Sequence, residues 1–161
     1  MTEVQPGAFR IARALTIQAS PETLFALVDD FRAWTQWSPW EKLDADLQRT
    51  YAGPNAGRGA VYAWEGRKAG TGRMEILESR PGRRIVIQLV FLKPMKATNL
   101  AEFTFEPDGD ATRVTWSMSG RHTVVTRLMH SVLGLDKMVG KDFEAGLASL
   151  KTIADRAHAP A

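Results

Sequence analysis

The hydrophobic period of the chain changes once, and this change limits the fold more than any other feature. Between Leu47 and Gly120, runs in which apolar and polar residues alternate are separated by turn signals such as GPNAGRG and PDGDA, which indicates a meander of antiparallel strands. Beyond Gly120, apolar residues recur at helical spacing on one stripe of a long amphipathic helix: Leu135, Val139, Phe143, Leu150, Ile153 and Ala157. The sheet is the only large partner that could bury this stripe. The predicted class is therefore α+β, with helices on one face of an antiparallel sheet.

The N-terminal region predicts one more strand and two short helices. Residues 9–19 are rich in β-branched and large apolar residues, which is typical of a strand. Ser20 can then cap a helix that has Pro21 at its first position. A second helical segment over residues 31–37 must end early, because Pro39 disfavours helical geometry at the residue before it.

Composition excludes several classes of function. The net charge of +3 is slight and spread along the chain, so no nucleic-acid partner is expected. The absence of cysteine excludes disulfides, thiolate metal sites and a cysteine nucleophile. No stretch is long and apolar enough to enter a bilayer stably, and the N-terminus lacks the pattern of a signal peptide, so we expect a cytoplasmic protein.

The length suits a single domain with a sizeable core. We expect one domain over residues 1–161, with flexible ends at 1–7 and 158–161, because no linker or repeat divides the chain.

The inner face of the predicted sheet is almost wholly apolar. In AEFTFEP, for example, Glu102, Thr104 and Glu106 alternate with Ala101, Phe103 and Phe105, and only one of the two sets can face the core. The same argument assigns further residues to the interior: Tyr62, Trp64, Met74, Ile76, Ile85, Ile87, Leu89, Phe91, Val114, Trp116 and Met118. An apolar row on the outer face is the only candidate for a homodimer contact: Val86, Val90 and Leu92.

The segment FRAWTQWSPW, residues 31–40, holds three of the five tryptophans. Trp34 and Trp37 are neighbours on one helical face, and Trp40 follows the bend at Pro39, so the three can line a curved surface. We assign Trp34 to the core. For Trp37 and Trp40 the alternatives are core packing or contact with a ligand while the indole N–H groups reach water.

Few side chains are candidates for catalysis or for a polar contact. Tyr62 is the only titratable group on the inner strand faces, Arg13 interrupts the inward residues of the first strand, and Asp142 lies at the margin of the helical stripe. Arg13 and Asp142 either anchor a ligand carboxylate or carbonyl, or meet solvent at the edge of the core. No metal ligand set is predicted, because the three histidines lack the required spacing: His122, His130 and His158.

Gly146 falls near the centre of the helical stripe, where a large side chain is expected. Glycine inside a helix costs up to about 1 kcal/mol relative to alanine. Its presence has two explanations, namely close approach of helix and sheet or space kept free for a ligand. We predict free space.

The order of these motifs resembles a known family. The SPE-capped helix, FRxWxxWSPWEK, YAWEG, GRMEI and the final DKMVGKDFEAGLASLK are similar to the polyketide cyclase/dehydrase-like branch of the START and birch-pollen-allergen superfamily. The resemblance covers residues 11–154, and WSPWE and MVGKDFEAGL are its most specific parts. It implies a helix-grip fold, in which a curved antiparallel sheet wraps around a long C-terminal helix and encloses a cavity. Members of this superfamily include cyclases, hydrolases, lipid and hormone binders and chaperone cofactors, so membership alone does not give the function.

The leading hypothesis is binding of a small hydrophobic or amphipathic molecule, such as a lipid, an aromatic compound or a polyketide-like compound, without a cofactor. The first alternative is a cyclase or dehydratase that uses Tyr62, Arg13 and Asp142, and the second is a protein-interaction module with a filled core. The predicted ligand contacts are Arg13, Trp37, Trp40, Tyr62, Trp64, Met74, Leu89, Phe91, Phe103, Phe105, Trp116, Met118, Asp142, Phe143 and Gly146.

Overall fold

A computed structural model describes residues 8–121 and 134–157 of the chain. The elements within these ranges are β1 (Ala8–Ile17), α1 (Pro21–Asp29), a 3₁₀ helix (Phe31–Gln36), β2 (Gln48–Ala52), β3 (Val61–Gly66), β4 (Gly70–Arg80), β5 (Arg84–Lys93), β6 (Ala97–Asp108), β7 (Ala111–Arg121) and α2 (Leu135–Ala157). The ends predicted to be flexible, all three histidines and the side chain of Leu135 lie outside the described part. None of the described helices is long and apolar enough to cross a membrane.

The strands form one curved antiparallel sheet. Their order is β1-β7-β6-β5-β4-β3-β2, so each strand from β2 to β7 pairs with its neighbour in sequence, and β1 joins the far edge beside β7. Two register shifts interrupt the pairing of β4 with β5, and such irregularities bend a strand and increase its twist. Helix α2 packs against β1, β7 and α1. The predicted α+β helix-grip fold is confirmed.

The helix signals in the N-terminal region act as predicted. The Ser20 hydroxyl accepts a hydrogen bond from the backbone N–H of Thr23 at 3.2 Å, and Pro21 opens α1. The next segment is a 3₁₀ helix that ends at Gln36, where the N–H of Trp37 donates to the carbonyl of Trp34. The chain therefore turns away one residue earlier than the sequence predicts.

Alternation also predicts the core correctly. The predicted inner residues of β6 and β7 are all buried, whereas Trp64 on β3 and Leu89 and Phe91 near the end of β5 are only half-buried. In α2 the buried apolar side chains are those of Phe143, Leu147, Leu150 and Ala154. Ala157, which was assigned to the buried stripe, is exposed, because the last turn of α2 extends past the residues it packs against.

The apolar row on the outer face of β5 is only partly exposed. Val86 and Val90 are half-buried, and Leu92 is exposed near the end of the strand. A homodimer contact stays one of two alternatives for this row, and the other is scattered apolar residues without a special role.

Candidate functional site

A cavity of about 270 Å³ lies between the sheet, the segment that follows the 3₁₀ helix, and α2. Its described lining consists of Trp34, Ser38, Trp40, Glu41, Leu43, Leu47, Tyr62, Trp64, Lys68, Ala69, Met74, Leu89, Phe91, Ala101, Trp116, Met118, Val139 and Phe143. An apolar cavity of about 150 Å³ can hold benzene, so this one has room for a molecule of about two rings.

Aromatic rings form much of the wall. Trp116 stacks on Phe143 with ring centroids 4.1 Å apart, and Trp40 meets both rings edge-on. On the opposite side, Tyr62 stacks against Trp64, whose indole N–H donates to the carbonyl of Ala69 at 3.1 Å. Interlocked rings of this kind have few alternative rotamers, so the wall is preorganised.

The three tryptophans of FRAWTQWSPW differ in their burial and in their hydrogen-bond partners. Trp34 donates to the carbonyl of Val28 and Trp37 to the carbonyl of Leu27, both at 2.8 Å, and both rings are buried. Trp40 is half-buried and lies in the cavity wall. Trp34 belongs to the core as predicted, although it also reaches the cavity. The indole N–H groups of Trp37 and Trp40 both bond to protein acceptors, so the part of the ligand-contact alternative in which they reach water does not hold.

One side of the cavity carries a polar cluster that sequence reasoning missed, and we call it the Glu41 cluster: Glu41, Arg49 and Tyr62. The phenol of Tyr62 donates to Oε1 of Glu41 at 2.9 Å, and Nε of Arg49 donates to Oε2 at 2.6 Å. Nη2 of Arg49 also donates to the Glu41 carbonyl at 3.1 Å. The Glu41 side chain is only 6% exposed, yet it borders the cavity. Glu41 is thus a paired, buried carboxylate at the surface of an apolar pocket.

Burial and the neighbouring carboxylate hold the proton on Tyr62. Burial raises the pKa of Tyr62 far above its ordinary value, and the negative charge of Glu41 and the hydrogen bond to it raise this pKa further. The hydrogen bond to Glu41 likewise raises the pKa of Arg49. At neutral pH Tyr62 is a neutral donor whose only proton points at Glu41, so its oxygen offers lone pairs to any other neighbour.

Comparison with known protein families identifies the family of this chain. Residues 8–155 match the family described as polyketide cyclase / dehydrase and lipid transport. The chain belongs to this family. This confirms the resemblance noted in the sequence and agrees with the helix-grip fold described above. No curated protein matches the chain in sequence.

Solved structures from this fold extend the comparison. A protein from Mesorhizobium loti has a TM-score of 0.69 at 14% identity, covering 94% of this chain and 100% of that one. A solution structure from Thermobifida fusca has a TM-score of 0.68 at 22% identity, covering 92% and 95%. DynU16, a protein of the dynemicin biosynthetic locus, has a TM-score of 0.63 at 14% identity, covering 89% of this chain and 46% of that one. At such identities the likeness shows the fold alone.

The family fold brings most of the predicted contact residues to the cavity. Those in the lining are Trp40, Tyr62, Trp64, Met74, Leu89, Phe91, Trp116, Met118 and Phe143. Six predicted residues lie outside the described lining: Arg13, Trp37, Phe103, Phe105, Asp142 and Gly146. The lining also includes residues that the sequence analysis did not assign to a ligand: Trp34, Ser38, Glu41, Leu43, Leu47, Lys68, Ala69, Ala101 and Val139. A ligand contact stays a prediction for every member of the first set.

The residues outside the lining have other partners. Phe103 and Phe105 lie deep in the core, and Phe103 stacks on the face of Trp116 at 4.9 Å. The guanidinium of Arg13 pairs with Glu144 of α2 at 3.1 Å. Asp142 accepts the indole N–H of Trp40 at 3.2 Å, which holds part of the cavity wall. Arg13 and Asp142 are therefore occupied with partners within the protein.

Gly146 is a site of close packing, and the predicted free space beside it is absent. A methyl group at this position would lie 2.7 Å from Cζ3 of Trp116 and 3.3 Å from Cδ of Pro39. Both distances are shorter than ordinary van der Waals contacts. Glycine is needed because the helix crosses the Trp116 ring with no room for a side chain.

The mouth of the cavity is marked by two exposed lining residues, Leu43 and Lys68. Asp44 joins the two segments that carry them, because its carboxylate accepts the backbone N–H groups of Lys68 and Ala69 at distances down to 2.8 Å. These bonds lower the pKa of Asp44, and the bond from Ala69 is the largest cause. The β3–β4 turn is thereby fixed against the segment that follows Glu41.

Proposed function

We propose that this protein binds a small apolar or amphipathic molecule in the cavity that the Glu41 cluster borders. The observation that carries the proposal is the cavity of about 270 Å³ with its wall of aromatic rings. Protein interiors contain few voids larger than a water molecule, and the neighbouring core around Phe103 and Trp116 is tightly stacked. A mostly apolar pocket with a few orienting polar groups is the usual form of a small-molecule site.

The ligand classes that fit are lipids, aromatic compounds and polyketide-like compounds. The family description names polyketide cyclases, dehydrases and lipid transport, and DynU16 belongs to a biosynthetic locus. The volume, which suits about two rings, and the aromatic wall favour an aromatic compound among these classes. A protein-interaction module with a filled core is disfavoured, because that hypothesis requires an interior without a ligand-sized void.

A second candidate function is catalysis of the cyclase or dehydratase type, and the observation that favours it is the position of Glu41. A carboxylate at the surface of an apolar pocket can accept a proton from a bound molecule. Tyr62 holds its proton, and Arg13 and Asp142 lie outside the described lining, so Glu41 is a stronger candidate for a base than any of these three. If turnover is found, Glu41→Gln should reduce it by about 10²-fold or more.

Native mass spectrometry of the protein purified from its own cells tests the binding proposal. We expect a bound small molecule, and we expect quenching or enhancement of tryptophan fluorescence when an apo sample is titrated with lipid, aromatic and polyketide panels. Ala101→Phe should abolish the response by filling the cavity, because Ala101 lies in its lining. Thr104→Phe places the same ring on the outer face of β6 and should leave the response intact. A protein that is empty from its cells and silent to all panels would refute binding.

A further inference from the structure

We infer that the Glu41 cluster makes the cavity selective for an uncharged ligand with a hydroxyl or N–H donor, and that it rejects a carboxylate at this end. The inference rests on the proposed function, since it names the class of molecule that the same cavity binds.

The hydrogen bonds within the Glu41 cluster explain this selectivity. Each carboxylate oxygen can accept two hydrogen bonds, and each oxygen of Glu41 accepts one from its described partners, Tyr62 and Arg49. The proton of Tyr62 is used in this pair and its oxygen also interacts with Arg49, so the phenol presents no donor to the cavity. Among the described residues, the cluster therefore offers acceptors to a ligand. The hydroxyl of Ser38, which also lines the cavity, can donate or accept and favours neither class of ligand.

A ligand carboxylate would meet these acceptors without a donor of its own. It would lose its hydration and face Glu41, whose like charge Arg49 only balances, so no net attraction offsets that loss. Arg49 offers such a ligand little attraction, because it lies outside the described lining and its charge is already paired with Glu41. Lys68 at the mouth can attract an anion, but its exposure to solvent screens the attraction. An acidic group would therefore remain at the mouth.

Three two-ring compounds of similar shape separate the classes: 2-naphthol, 2-methoxynaphthalene and 2-naphthoate. The first carries a donor, the second only an acceptor, and the third a negative charge at neutral pH. Isothermal titration calorimetry with the wild-type protein should show 2-naphthol binding about tenfold to a hundredfold more tightly than 2-methoxynaphthalene, which is the range for a hydrogen bond to a charged group. We expect 2-naphthoate to bind more weakly than either.

A substitution at Glu41 should remove this preference. Glu41→Met removes the acceptor and frees the phenol of Tyr62, which can then donate to an ether or a carboxylate. The preference for 2-naphthol should disappear, because the oxygen of either compound can accept the freed phenol proton. Glu106→Met is the matched control, because Glu106 is exposed on β6 and should keep the wild-type order. Near-ultraviolet circular dichroism checks that both variants are folded.

The possible results distinguish failure of the inferred donor selectivity from failure of the proposed ligand binding. Equal affinity of wild-type protein for 2-naphthol and 2-methoxynaphthalene overturns the inference and leaves binding by the cavity in place. Tighter binding of 2-naphthoate than of 2-naphthol overturns it as well. Failure of all three compounds to bind, together with an empty protein from its own cells, overturns the proposed function too. The wild-type series decides the matter even if Glu41→Met does not fold.

Discussion

The indole N–H of Trp40 donates to the carboxylate of Asp142 at 3.2 Å, across 102 residues of sequence. This bond ties the segment after the 3₁₀ helix to α2, and it orients the Trp40 ring edge-on to Trp116 and Phe143. Because Asp142 lies at the margin of the helical stripe, the sequence allows two roles for it, namely an anchor for a ligand or a solvent-exposed residue at the edge of the core. The structure gives it a different role, as the residue that positions a ring of the cavity wall.

Trp40 should therefore affect ligand binding more than stability. Trp40→Phe keeps a ring in the wall and loses one hydrogen bond, so the free energy of unfolding should fall by about 1 kcal/mol, while ligand affinity should fall by more than about tenfold. Asp142→Ala should have the same effect, because it removes the other partner. Chemical denaturation and calorimetric titration measure the two quantities.

Trp34 provides the contrast, because it is buried in the core and only 3% exposed. Trp34→Ala should cost about 3–5 kcal/mol of stability, and Trp40→Ala should cost less because Trp40 is half-buried. Equal losses of stability in the two alanine variants, measured without ligand, would contradict the division between core and wall.

Gly146 should not tolerate a side chain. Gly146→Ala places a methyl group 2.7 Å from the Trp116 ring, which is locked between Phe103 and Phe143 and cannot move aside. Overpacking of this kind costs about 1–3 kcal/mol, which outweighs the gain of up to about 1 kcal/mol in helix propensity. Thermal unfolding should show a lower midpoint for the alanine variant, and leucine should be worse.

A second glycine on the same helix is the matched control. A methyl group at Gly140 would meet the guanidinium of Arg13, which is the mobile end of a flexible side chain. Arg13 can move aside at little cost, because its partner Glu144 is largely exposed and surface ion pairs contribute little. Gly140→Ala should change stability by less than about 1 kcal/mol. An equal loss in both variants would show that rigidity of the Trp116 stack does not explain Gly146.

The fold was predictable because period and alternation are properties of the sequence. Every inner residue assigned on β6 and β7 is buried, and Ser20 and Pro21 open a helix as expected. Glu41 was not predictable, because it lies in an irregular segment where no period indicates the direction of a side chain. Its partner Arg49 lies on the edge strand β2. Only the assembled sheet brings Nε of Arg49 to 2.6 Å from Oε2 of Glu41.

Gly146 shows the other limit of sequence reasoning. A small residue on a buried stripe indicates that something large lies nearby, but the sequence does not say whether that neighbour is a ligand or a ring. The answer depends on how closely α2 approaches β7, which the packing of Trp116 between Phe103 and Phe143 sets. Distances of this kind come from the tertiary structure alone.

Asp44 should control the mouth of the cavity. Asp44→Ala removes the acceptor for the N–H groups of Lys68 and Ala69, so hydrogen exchange at these two amides should accelerate and a bound ligand should dissociate faster. Asp46→Ala makes the same charge change two residues away and should have neither effect. Unchanged exchange at both amides in Asp44→Ala would contradict this role.

The same site should respond to acid. Since the pKa of Asp44 is lowered from its ordinary 3.8, its contribution to stability is present above that value and is lost as the pH falls through the folded-state pKa. Hydrogen exchange at Ala69, corrected for the intrinsic effect of pH, should therefore show loss of protection below pH 3.8 in the wild-type protein. In Asp44→Ala no such step should remain.

Alkaline titration should reveal the environment of the tyrosines. The chain has two, Tyr51 and Tyr62, and burial followed by the charge of Glu41 raises the pKa of both above the ordinary value of 10.0. As the pH rises above 10.0, the unfolded chain releases the Tyr62 proton while the folded protein keeps it, so the free energy of unfolding should decrease. Phenolate absorbance of the folded protein should show no tyrosine ionising with a midpoint at 10.0, and Tyr62→Phe should make the alkaline loss of stability shallower. Tyr51→Phe is the matched control and should leave the Tyr62 contribution in place, whereas ordinary titration of Tyr62 in the folded protein would contradict a buried phenol that donates to Glu41.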